Sequence, residues 1–129
     1  MIYGLLYPMK FKIVKSPNHS IKNRNKKKIK FIVFHYTGMQ SERVAVQRLT
    51  SKKSKVSCHY LINRKGIITK IVDEENIAWH AGKSKWKNLT NLNNQSIGIE
   101  LVNKGHQSGY EKFSKKQILK LVLLSKTLI

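Results

Sequence analysis

The sequence predicts one α/β domain, and three observations carry that expectation. Runs rich in β-branched and aromatic residues begin at Lys30, Val56, Ile67 and Ser96, each bounded by Gly, Asn or charged residues. Two amphipathic segments, opening at Ser41 and Ser114, carry helix start signals. The length of 129 residues suits a single hydrophobic core and excludes two domains.

Residues 1–28 read as a basic, irregular lead-in, and the domain proper occupies 29–129. The stretch from Met1 to Met9 is apolar but lacks an early basic region and is broken by Pro8, so no signal peptide is expected. No run approaches the roughly 18 apolar residues needed to span a membrane. A cytoplasmic location is the expectation, with a periplasmic one left open. The single cysteine, Cys58, excludes an internal disulfide.

The first strand, from Lys30, is closed by His35 and leaves through Tyr36-Thr37-Gly38. An imidazole at a strand end is held rigidly and faces the loop side where ligands bind; the alternative is a core histidine bonded to backbone. Ser41 caps a segment whose Val44, Ala45, Val46 and Leu49 fit a short amphipathic helix. Val56 to Ile62 and Ile67 to Val72, joined by Asn63-Arg64-Lys65-Gly66, read as a hairpin. His59 and Tyr60 alternate across that sheet, so His59 is as readily a packing residue as a site residue.

Asn76 to Gly82 places Trp79 beside His80, Trp86 follows, and the asparagine-rich 88–95 stretch reads as a surface loop. Such a loop suits a sugar or peptide, or the two tryptophans cover a sheet edge. The next strand, Ser96 to Val102, contains Glu100 among Ile and Leu. Burying an unpaired carboxylate costs several kcal/mol, so Glu100 is either a functional group or half of a structural ion pair. In the last segment Ser114 and Gln117 form a capping box, and the apolar positions beyond define a helix buried on much of its circumference.

Twenty-six basic residues against 6 acidic ones give a net charge of +20 and a pI near 10.3. Such a chain attracts polyanions non-specifically. Its densest cluster is Lys22, Arg24, Lys26, Lys27, Lys28 and Lys30. No basic recognition helix and no interleaved aromatics accompany it, so no specific nucleic-acid partner is expected.

Four ordered blocks carry a resemblance: Phe34-His35-Tyr36-Thr37-Gly38, Ser57-Cys58-His59-Tyr60-Leu61-Ile62, Ala78-Trp79-His80-Ala81-Gly82, and Asn93 to Leu101. From about Lys30 onward the chain resembles the zinc-dependent N-acetylmuramoyl-L-alanine amidases, a superfamily that includes phage lysozyme-amidases and peptidoglycan recognition proteins. The resemblance implies a mixed central β-sheet flanked by helices, and hydrolysis of the amide between N-acetylmuramic acid and L-alanine of the stem peptide. It implies His35 as a zinc ligand and Glu100 as the residue assisting the attacking water. Tyr36, Thr37, Trp79 and His80 would line the substrate groove, and peptidoglycan or muropeptides would be the partners.

In the family the second and third zinc ligands follow the last helix, and this chain is expected to be C-terminally truncated before them, lacking the final strand and loop. Zinc is therefore expected to bind weakly or not at all. Cys58 stands where many phage relatives carry a tyrosine. Three expectations follow: an impaired amidase, a peptidoglycan-binding remnant without catalysis, or a polycation for nucleic acid or anionic surfaces.

Overall fold

The computed structural model describes residues 9–21, 24–109 and 111–129. The expectations for the N-terminal stretch 1–8 and for Lys22 lie outside these residues. Among the described residues, nine strands and two α-helices occur in the order β1 (Phe11–Ile13), β2 (His19–Ser20), β3 (Phe31–Tyr36), α1 (Glu42–Thr50), β4 (Tyr60–Ile62), β5 (Ile68–Lys70), β6 (Ile77–Ala78), β7 (Lys85–Trp86), β8 (Leu89–Thr90), β9 (Ser96–Leu101) and α2 (Lys115–Leu128).

Five strands form one mixed sheet in the order β1-β5-β4-β9-β3. β4 and β5 are the antiparallel hairpin, while β3 and β4 flank β9 in parallel. The hairpin turn is chemical as expected. Asn63 Oδ1 accepts the Lys65 and Ile67 N–H groups, and Gly66 takes φ +82, a value that favours glycine.

Side-chain alternation splits the core into two layers. Tyr60, Ile62, Ile68, Ile97, Ile99 and Leu101 face α2, where they meet Leu121 and Leu124. Leu61, Cys58, Ile71 and Val72 face the opposite way and pack on Leu49 of α1. Gly98 and Glu100, alternating with the isoleucines of β9, therefore lie on the α1 side.

Three expectations change. The lead-in is not irregular throughout: Phe11–Ile13 pairs in parallel with Ile68–Lys70, and His19–Ser20 pairs with β6. The reason is the open edge of β5, which offers backbone partners to a segment too short and too polar to signal a strand. The last helix has its capping box, but only Gln117, Leu121 and Leu124 are buried, while Ile118, Leu119, Val122 and Leu123 are exposed. The apolar positions wrap the helix, and the sheet covers one side of it. The asparagine-rich loop, too, contains order: β7 and β8 form a small antiparallel pair.

Candidate active site

His35 and Glu100 are directly opposed across the parallel β3–β9 pair. Opposed residues in such a pair project from the same face, so the strand-end imidazole and the buried carboxylate share the α1 side of the sheet. A cleft of about 180 Å³ opens there, lined by Thr37, Arg48, Ser57, Trp79, His80 and Glu100 among others.

Among the described residues Glu100 Oε2 has no partner and is buried without a hydrogen bond. Burial raises its pKa from 4.5 to about 7. A carboxyl group held there exchanges its proton readily at neutral pH, which suits general acid–base work. Cys58 lies beside it, fully buried, with its thiol donating to the Tyr60 carbonyl at 3.3 Å. Burial, then the Glu100 charge, push the Cys58 thiol well above its ordinary pKa, which disfavours a thiolate ligand.

His80 is the neighbour that links the two strands. Its Nδ1 lies 2.9 Å from His35 Nε2, and its Nε2 lies 2.9 Å from Ser96 Oγ. A Cβ built on Gly98 would overlap the His80 ring, so only glycine leaves room for it. The His80 and Ala81 N–H groups both donate to Asn93 Oδ1, at 3.2 and 2.9 Å. Burial lowers His80 to about 3 and also lowers His35, so both rings are neutral near pH 7.

Thr37 closes the mouth of the cleft by bonding Asn103 through Oγ1, accepting its N–H and donating to its carbonyl, both at 3.2 Å. Trp79 is pinned at both ends: its backbone N–H donates to Ser57 Oγ at 2.9 Å and its indole to Ser20 Oγ at 3.1 Å. Tyr36 stands apart from this cleft. It alternates to the opposite face from His35, is exposed, and lies 3.0 Å from His106 Nδ1 through its hydroxyl. Trp86 is exposed on β7.

His59 resolves to a packing role. The Gly98 N–H donates to its Nδ1 at 3.0 Å, so the proton sits on Nε2 and bonds the Asn76 carbonyl at 2.9 Å. Burial holds it near a pKa of about 4.

Arg24, which the sequence places in the densest basic cluster, has a structural role there that the cluster does not signal. It is buried, and its guanidinium donates to the carbonyls of Glu74, Asn93, Asn94 and Ser96 at 2.8 to 3.1 Å. It thus clamps the loop that carries Asn93 and, through it, His80. The only signal in sequence is residue type, since arginine alone has the fork to satisfy several carbonyls at once.

Catalytic zinc takes three protein ligands and an open position. Among the described residues no three His, Cys, Asp or Glu side chains converge as a metal would require. His35 with Glu100 falls short of that set, so the described residues do not by themselves fit a resident zinc.

Comparison with known proteins accounts for this arrangement. A profile of the N-acetylmuramoyl-L-alanine amidases matches residues 25–129. The chain is 40% identical over 114 residues to the N-acetylmuramoyl-L-alanine amidase AmiD of Escherichia coli, covering 79% of this chain and 40% of that protein. It is 29% identical over 131 residues to the 1,6-anhydro-N-acetylmuramyl-L-alanine amidase AmpD of Haemophilus influenzae, covering 87% and 71%. The chain thus spans well under half the length of AmiD. The solved complex of E. coli AmiD with anhydro-N-acetylmuramic acid-L-Ala-D-gamma-Glu-L-Lys superposes with a TM-score of 0.70 at 38% identity, covering 79% of this chain and 43% of that one. AmpDh3 from Pseudomonas aeruginosa gives 0.71 at 34%, covering 78% and 44%. With a family profile covering most of its length, the chain belongs to the N-acetylmuramoyl-L-alanine amidases.

Proposed function

We propose that this chain is a peptidoglycan amidase domain whose cleft binds muropeptides and whose reaction is hydrolysis of the amide between N-acetylmuramic acid and L-alanine. The observation that carries it is the register of β3 on β9, which sets His35 and Glu100 on one face beside a cleft. Relatives captured with anhydromuramyl peptides support the substrate class.

Glu100 is the acid–base group of the reaction. It takes a proton from water as the water oxygen bonds the carbonyl carbon, then returns that proton to the amine nitrogen as the C–N bond breaks. Amide hydrolysis also needs the carbonyl to be polarised, and the family uses zinc for that. Since the described residues supply only His35 of the ligands the resemblance implies, we assign the 129-residue chain weak zinc binding and weak hydrolysis.

The test pairs binding with turnover. Anhydro-N-acetylmuramoyl tripeptide is expected to perturb the Trp79 indole and to be cleaved far below one turnover per minute, with zinc well under one ion per chain. Absence of binding overturns the amidase reading, and stoichiometric zinc with rapid release of stem peptide overturns the impairment. A non-catalytic peptidoglycan binder shares the same cleft, and Glu100→Gln separates the two: it abolishes any residual cleavage in an amidase and changes nothing in a pure binder. The polycation reading loses Arg24, which is withdrawn into the core, although Lys26, Lys27, Lys28 and Lys30 are exposed among the described residues of that segment. Retention on insoluble peptidoglycan at high salt is the check, since charge-driven binding is screened away.

A further inference from the structure

Among the described residues Arg48 is the one arginine or lysine on the wall of the cleft that Glu100 also lines. It stands in the last turn of α1, on the exposed side of a helix that buries Ala45 and Leu49. A cation there complements the helix dipole, which accounts for its charge but not for its place on the cleft wall.

The backbone beneath Arg48 is fixed from outside the helix. The Arg48 carbonyl accepts the Ser54 hydroxyl, the Leu49 carbonyl accepts the Ser16 hydroxyl at 2.6 Å, and the Ser51 carbonyl accepts the Asn18 side-chain amide at 2.7 Å. Ser16 and Asn18 are buried, so these bonds tie the end of α1 to the segment that leads into β2. A planar fork on a rigid base loses little freedom when a ligand engages it.

Its head group is unengaged. Ion pairs among the described residues join Lys26 to Glu74, Arg64 to Glu111 and Lys70 to Asp73, and Arg48 is in none of them. A guanidinium and a carboxyl group thus line one cleft without pairing, and both are left for a ligand.

The peptide held in the AmiD complex contains glutamate joined through its γ-carboxyl. That linkage leaves a free α-carboxylate on the residue after alanine, about 6 Å from the scissile nitrogen in an extended chain. A cleft of about 180 Å³ accommodates a ligand whose amide bond and carboxylate are that far apart. The guanidinium fork meets a carboxylate with two parallel hydrogen bonds, which a carboxamide cannot accept.

We propose that Arg48 is a specificity residue that binds the free α-carboxylate of γ-linked glutamate in the stem peptide and so selects it over the α-amidated form. This rests on the amidase reading of the cleft.

Calorimetric binding of two ligands to the full chain tests it: anhydro-N-acetylmuramoyl-L-Ala-D-γ-Glu-L-Lys, and the same compound with the glutamate α-carboxylate amidated. Wild type is expected to bind the acid about tenfold more tightly than the amide, as one charge-assisted bidentate pair would give. Arg48→Gln is expected to lower that preference below about twofold with affinity for the amide unchanged, and Arg48→Lys to keep about threefold. Lys126→Gln removes the same charge from α2, on the other side of the sheet, and is expected to keep the wild-type preference. Equal binding of acid and amide by wild type overturns the proposal and leaves the amidase reading standing. A preference that survives Arg48→Gln, or that falls as far with Lys126→Gln, overturns the role of Arg48. Should Arg48→Gln fail to fold, Arg48→Lys decides, since an undiminished preference there overturns the role of the fork. Binding of neither ligand overturns the amidase reading and the proposal with it.

Discussion

A carboxyl oxygen with no donor in reach is comfortable only while protonated or bound, and Glu100 is in that position. Its pKa is 4.5 when unfolded and about 7 when folded, so the folded state binds the proton more tightly. The stability it contributes is complete below about pH 4.5 and is lost as pH rises towards 7. Glu100→Gln removes that dependence. Thermal or urea unfolding should find variant and wild type similar near pH 4.5, with the variant more stable above pH 7 by up to about 3 kcal/mol. His59 and His80, held at about 4 and 3, act in the opposite sense and lose stability as pH falls, but they are common to both proteins and cancel in the difference. Equal stability across the range would show that Glu100 has a partner. Gly98 gives a second expectation. Gly98→Ala forces the His80 ring out and should cost about 2 kcal/mol, and adding His80→Ala should restore part of that loss by vacating the space. Glu100 and His35 were legible because each is polar inside an apolar run. The glycine was not, because its role depends on a ring 18 positions away in sequence.

The turn at 63–66 and the capping box at Ser114 were legible because turn and cap chemistry is local. Pairings that come from a distant partner were not. β1 is three exposed residues that form a strand only because β5 has an open edge. The loop from Asn91 to Ser96 is likewise shaped from afar, by Arg24. Arg24→Met should cost about 3 kcal/mol by stranding buried carbonyls, and hydrogen exchange should report loosening at residues 91–96. Arg24→Lys should recover little, since an ammonium cannot reproduce the fork. Recovery to wild-type stability with lysine would show that charge, not geometry, is what Arg24 supplies. Gln117 plays a similar part at the start of α2, where its amide donates to the carbonyls of Ile62 and Val102 at 3.0 and 2.9 Å. The capping box predicted its backbone role and left this second one unseen.

The fold as a whole sets a two-layer core against an exposed apolar stripe. Ile118, Leu119, Val122 and Leu123 on α2 lie open to solvent, as does Phe34 on the edge strand β3. Contiguous exposed apolar surface promotes association, while a net charge of +20 opposes it. Self-association that grows with salt is therefore expected in sedimentation, because salt screens the repulsion and leaves the stripe. Leu119→Lys with Val122→Lys should abolish it with little change in folding stability, and a monomer at every salt concentration would contradict this.

Glu100 and His80 wall the proposed muropeptide cleft, with His35 held against His80, and a 1H–15N titration with anhydro-N-acetylmuramoyl tripeptide tests this directly. Shifts confined to the cleft residues Thr37, Arg48, Ser57, Trp79, His80 and Glu100 and to His35 against His80 are the predicted result. No shifts, or shifts restricted to the turn at Lys26–Lys28, would contradict it.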